Sequence, residues 1–203
     1  MVTTKRKVGN LLGLAVLSYL LMRPMHPYEL SKALRDNGDA RSIKFNHGSL
    51  YMVVGQLAKA GFITEQETSR DGARPERTVY ALTEAGRAEQ RDWLRELVEL
   101  PEHEYPHFVA ALSLVSALPP DEVVDLLNRR LDRLTGDRRS TQDNYDEAVG
   151  NDVHPLFLVE EEYRLAMLDA EIAFVRRFIE RITDPVAGWG AGLWAAFHEG
   201  ERS

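Results

Sequence analysis

With 203 residues and 44% hydrophobic content, the chain can build one domain or two small ones around a proper core. It has no cysteine, which excludes disulfides, thiolate nucleophiles and cysteine-ligated metals. The net charge of −7 hides a split: residues 1–92 carry 14 Lys/Arg against 10 Asp/Glu, and residues 93–203 carry 11 against 22. An acidic total therefore does not exclude nucleic acid as a partner of the basic half, whose field is set locally.

In chain order, Lys5-Arg6-Lys7 precedes an apolar run from Leu11 to Met22 that imitates a secretory signal. Arg23-Pro24-Met25 follows instead of a small-residue cleavage site, and the run is shorter than the roughly 20 residues that span a bilayer. It reads as a buried first helix, with no membrane role. His26-Pro27-Tyr28 opens a second helix, with Pro27 in its first turn, Leu30, Ala33 and Leu34 on its buried side, and Gly38 as its stop. A third helix is predicted from about Asn46, its N-cap, to Ala60.

Two β-like runs come next, Phe62 to Thr68 and Arg77 to Leu82, around the turn-rich Arg70-Asp71-Gly72-Ala73-Arg74-Pro75. Thr83 caps a helix to about Leu100, with Leu94, Leu97 and Val98 on its apolar side. Pro101 and Pro106 bracket a hinge. Beyond it Phe108, Leu112, Val115 and Leu118 line up on one helix. Pro119-Pro120 ends that helix, and Asp121 caps another carrying Val124, Leu127, Leu131 and Leu134. Residues 135–150 are an exposed continuation or a loop, and a long helix runs from about Pro155 to Ile182. The order predicts a mainly α protein: a winged helix-turn-helix with a two-stranded β wing at 1–100 (core 10–90), then an all-α domain at 101–203.

The third helix is unusually bare. On a helical wheel Leu50, Val53, Val54 and Leu57 converge on the core side. Gly48, Met52, Gly55, Gln56 and Lys59 lie opposite, with Ser49 and Tyr51 on the flanks. Each interior glycine costs about 1 kcal/mol of helix stability. A small, sparsely charged face suits close entry into a major groove about 12 Å wide; tight packing against a neighbouring helix would explain the glycines as well. In the groove-binding reading Asn46, His47, Ser49 and Met52 influence base preference, while Lys44, Tyr51, Lys59, Arg70 and Arg74 touch phosphates.

"HGSLYMVVGQLAKAGFI" followed by "RTVYALTEAGR" resembles the PadR family of bacterial transcriptional regulators. The family pattern falls on Gly48, Leu50, Tyr51, Leu57, Gly61, Tyr80, Leu82, Thr83 and Gly86, and "MHPYELSKAL" resembles its second helix. The resemblance covers residues 10–90, and "FVAALSLVSALPPDEVVDLL" resembles, less specifically, the C-terminal helical domain of long members. Two departures stand out: Met52 replaces a common proline, and Gly55-Gln56 a usual charged pair. The resemblance implies a cytoplasmic homodimer on double-stranded DNA, most often a repressor on an inverted repeat that an effector releases. An activator and a protein-binding winged helix are the alternatives. Some relatives receive planar ligands on aromatic residues near the dimer centre, which makes Trp93 the candidate for a planar or apolar effector; the alternative is that Trp93 is a core or interface aromatic.

No enzyme is expected. His103 and His107 are spaced like ligands on a helix, but Pro106 breaks that helix. Glu160-Glu161-Glu162 is explained by a helix N-terminus. Neither cofactor nor metal is expected. Dimerisation is assigned to an apolar stripe on the last long helix, Leu165, Leu168, Ile172, Val175 and Ile179 with Leu158 and Ile182 at its ends. A second stripe holds Val159, Tyr163, Met167, Ala170, Phe174 and Phe178. One stripe can cover the chain's own helices and leave the other for a partner.

Overall fold

A computed structural model describes residues 6–66, 78–186, 189 and 191–199. The chain divides into two compact units, 1–103 and 104–203. Among the described residues no helix is long and apolar enough to cross a membrane.

The first unit is a winged helix. Helix α1 (Leu11–Met22) is capped by Asn10, whose Oδ1 accepts the Leu12 N–H at 2.9 Å. It packs against α2 (Pro27–Asp36), α3 (His47–Lys59), α4 (Glu84–Glu99) and a strand, so it buries residues all round: Leu12, Val16, Leu17 and Leu20. That all-round burial is why its sequence imitates a signal peptide. Helix α2 begins with a reciprocal cap. His26 Nδ1 accepts the Tyr28 N–H at 3.0 Å and the Glu29 carboxylate accepts the His26 N–H at 2.9 Å. It ends at Asn37, and Gly38 follows with φ of +78°, which only glycine adopts without cost.

Strands β1 (Ile63–Gln66) and β2 (Val79–Leu82) pair antiparallel, Ile63 opposite Leu82 and Gln66 opposite Val79. A one-residue third strand on the other side of β2 escapes sequence reading. Met25, just before α2, exchanges both backbone hydrogen bonds with Tyr80 at 3.0 Å. A single residue between two prolines and a helix has no strand periodicity to detect.

Helix α4 turns its unexpected side inward. Gly86, Gln90 and Trp93 are buried, while Leu94 is exposed and Val98 is 81% exposed. The apolar side made by Leu94, Leu97 and Val98 is therefore not a core face within the chain. Thr83 caps α4 by accepting the Gly86 N–H at 3.0 Å, and its hydroxyl reaches the Gly61 and Phe62 carbonyls. Helix and hairpin are thus joined at one residue.

The second unit is built on two long antiparallel helices, α6 (Pro120–Gly150) and α7 (Val159–Thr183). Val123, Leu127 and Leu134 of α6 meet Ile172, Val175 and Ile182 of α7. Arg130–Glu171, Arg138–Asp169 and Tyr145–Glu162 bind the pair along its flank. Two sequence expectations change, and of the two alternatives for residues 135–150 the helical continuation holds. Pro119 occupies the cap position and Pro120 the first turn, so Asp121 lies inside the helix. Residues 135–150 continue α6 rather than form a loop, with Thr141 buried. A 3-10 turn, Pro155–Leu158, precedes α7, whose acidic first turn holds Glu160, Glu161 and Glu162.

Helix α5 (His107–Ser113) stops short of Val115, which begins a separate 3-10 turn. Helix α8 (Ala191–Glu199) was not expected from the sequence. Trp194 donates from Nε1 to the Ser116 carbonyl at 2.9 Å, tying α8 to that turn.

Candidate nucleic-acid interface

Helix α3 buries Leu50, Val53, Val54 and Leu57, each at most 2% exposed, and turns its other side outward. Gly55 and Gly48 sit on that outer side. A methyl group at Gly55 would meet nothing within 4 Å, and one at Gly48 only the Asn46 Oδ1 at 3.4 Å. Packing among the described residues therefore does not explain these glycines. Met52 is 55% exposed, and Tyr51, His47, Gln56, Lys59 and Lys44 are also exposed. The His47 ring leans on Tyr51 with centroids 4.6 Å apart, giving the helix start a small aromatic flank.

Two predicted base readers have other work. Asn46 Oδ1 accepts the Ser49 N–H at 2.9 Å, and Ser49 Oγ accepts the Asn46 N–H at 2.8 Å while donating to the Asn46 carbonyl at 2.9 Å. This reciprocal cap consumes the Ser49 hydroxyl and satisfies two otherwise unpaired helix-start donors. Ser49→Ala would remove a cap before it removed a contact to anything else. Gln56, not singled out as a reader from the sequence, is one turn beyond Met52 on the same exposed stripe, a position its i, i+4 spacing could have flagged.

The approach to α3 is held from behind. Tyr19, on α1, donates its hydroxyl to the Asp39 carboxylate and accepts from Asn37 Nδ2 at 2.7 Å. Burial and Asp39 push this hydroxyl up to about 12, so it stays a donor at physiological pH. The Asp39 carbonyl in turn accepts the Ser42 and Ile43 N–H groups at 3.0 and 2.8 Å. The chain from α2 to Lys44 is thereby anchored to α1. Tyr19→Phe is expected to cost about 1 kcal/mol and to speed amide hydrogen exchange at Ser42 and Ile43. Unchanged exchange at those two amides would remove the anchor from the account.

Arg70 and Arg74 lie outside the described residues, as does Arg77. Trp93 is 4% exposed and packs against α1 with the Arg6 guanidinium 5.3 Å from its ring. Arg6 is itself held by Glu89, at 2.8 Å, and by Glu96. An effector reaching Trp93 would have to displace this pair, so the tryptophan is a core residue here. His103 and His107 do not share a helical turn, because α5 begins at His107 behind Pro106. No group of three or more potential metal-ligating side chains occurs among the described residues.

In the second unit the stripe assigned to dimerisation divides. Ile172 and Val175 are 6% and 0% exposed against α6, while Leu165, Leu168 and Ile179 are half-buried. The exposed side of α7 is the other stripe, with Tyr163 at 69%, and Val159, Met167 and Phe174 beside it.

Residues 16–92 match the transcriptional regulator PadR-like family. The negative transcriptional regulator PadR of Bacillus subtilis is 26% identical over 143 residues, 70% of this chain and 77% of that protein. The crystal structure of Bacillus subtilis PadR with operator DNA superposes with a TM-score of 0.63 at 22% identity, over 82% of this chain and 99% of that one. The same protein with p-coumaric acid gives 0.59 at 21%, over 82% and 99%. Motif, winged-helix architecture and matches converge: residues 16–92 form a PadR-like transcriptional-regulator domain, and the C-terminal helical region that follows fits the long form of that family.

Proposed function

We propose that the protein is a cytoplasmic, homodimeric repressor that binds an inverted-repeat operator through α3 and is released by an effector. The observation that carries this reading is the outer face of α3, where no packing among the described residues accounts for the glycines. Repression and release are supported by relatives: one is a negative regulator, and its structures include an operator complex and a p-coumaric acid complex. Residues 1–100 would bind DNA and residues 101–203 would dimerise and receive the effector. Met52, Gln56 and His47 are the base readers in this scheme, with Asn46 and Ser49 fixing the helix start. Tyr51, Lys44, Lys59, Arg70 and Arg74 meet phosphates.

DNA selected from a random pool, with binding followed by fluorescence anisotropy across salt concentrations, tests it. The selected sites should be inverted repeats with half-site centres 34–36 Å apart or a multiple of that. Lys44→Ala should weaken all sequences alike and flatten the log-affinity against log-salt line by about 1.8, about 0.9 for each of the two subunits. Gln56→Ala should change the preferred base at one position per half-site, at about 1–3 kcal/mol. Failure to select any sequence would favour a winged helix that binds protein. Salt-independent binding would end the assignment of roles.

A further inference from the structure

The second unit contains a groove of about 650 Å³ between α5, the 3-10 turn after it and the first half of α6. That size lies within the usual range for small-molecule sites. Its lining is mostly apolar, with leucine the commonest residue, including Leu112, Leu114, Leu118, Leu126 and Leu127, and a single aromatic ring, Phe108. The ring is already engaged. The Arg130 guanidinium lies 3.6 Å from its centroid and Phe174 abuts it at 82°. Arg130 is in turn fixed by donating from Nε to Glu171 at 2.6 Å. A planar ligand seeking that face would have to break a cation–π contact and an ion pair together.

Two further guanidinium groups line the groove, Arg129 and Arg133, one turn apart on α6 or about 6 Å along its axis. Both are exposed, and neither makes a hydrogen bond or ion pair among the described residues. The only carboxylate in the lining is Asp137, a turn beyond Arg133. It disfavours an anion at that end and leaves the Arg129–Arg133 end for one.

We propose that this groove binds a linear aliphatic chain bearing one anionic head group, of the class of a medium-chain alkyl carboxylate. The chain lies along the leucines, and the head group sits between Arg129 and Arg133. The arginines are free to pair without losing any bond they now make. The leucines supply the apolar contact that an exposed carboxylate alone would lack.

Isothermal titration of the full-length protein with decanoate tests the proposal, without DNA, so that its failure leaves the regulator reading untouched. Saturable binding at one site per chain is expected. Decyltrimethylammonium and p-coumarate should each bind at least tenfold more weakly. The double substitution Arg129→Ala, Arg133→Ala, at exposed positions, should lower decanoate affinity at least tenfold with an unchanged circular dichroism spectrum. Leu126→Gln, in the lining, should lower it as well while leaving the arginines in place. The proposal is overturned by equal binding of the cationic chain, by unaltered affinity in the double variant, or by no saturable binding, as when a second copy covers the groove.

Discussion

Replacing Gly86 with alanine is expected to unfold the winged helix at temperatures where the parent protein is native. A methyl group there would lie 2.0 Å from the Phe62 carbonyl oxygen, 2.9 Å from its carbon and 2.8 Å from Leu82 Cδ1. The first two are backbone atoms and cannot rotate away. The Phe62 oxygen is also the acceptor for the Thr83 N–H at 3.1 Å and the Thr83 hydroxyl at 3.0 Å. Moving it to admit the methyl group therefore loosens the junction that joins hairpin to α4.

Overpacking alone costs about 1–3 kcal/mol, and each weakened hydrogen bond adds about 1 kcal/mol. A total near 3–5 kcal/mol is a large part of the 5–15 kcal/mol that holds a typical domain together. In a unit of this size it corresponds to a midpoint lowered by roughly 12 °C or more. Gly55→Ala is the matched control, because its methyl group meets nothing and should stabilise α3 by up to about 1 kcal/mol. Thermal unfolding of both variants by circular dichroism decides the matter. Equal midpoints for the two would refute the steric account.

The double substitution Tyr163→Glu, Met167→Glu is expected to convert a dimer into monomers and to abolish operator binding at working concentrations. Both side chains are exposed on the side of α7 opposite Ile172 and Val175, so carboxylates there need not disturb the subunit's own core. In a two-fold dimer built on this stripe each substitution would be buried twice and without a partner, at several kcal/mol in total. Losing the link between two half-sites costs a further factor of about 10²–10⁴ in apparent affinity. Sedimentation at micromolar concentration should show the parent as a dimer and the variant as a monomer. A dimeric variant would move the interface to another surface, and a monomeric parent would remove the dimer from the model of action.

Much of the fold was legible because it depends on local chemistry. Asn46, His26 and Thr83 announce helix starts through side chains that can satisfy unpaired N–H groups. Gly38 and Gly61, with φ of +78° and +79°, mark stops that other residues would strain. The outer face of α3 was legible too, because helical spacing alone puts Gly48, Met52, Gln56 and Lys59 on one side. What misled was apolar character taken as burial. Leu94 and Val98 form an apolar side on α4, yet the helix packs through the small Gly86, the polar Gln90 and Trp93.

The sequence by itself determined the order of α1 to α7 and the hairpin, the caps at Asn46 and Thr83, and which face of α3 is bare, since each follows from residues close along the chain. Only the tertiary structure decided which of two apolar stripes on α7 meets α6, that Trp93 lies beneath Arg6, and that the Ser49 hydroxyl is spent on its own helix start. It also decided that Gly86 is needed for the passage of a backbone 24 residues earlier, at Phe62. The reason is physical. Periodicity reports that a face is apolar, but which apolar face is covered depends on partners distant in sequence, and local spacing carries no record of them.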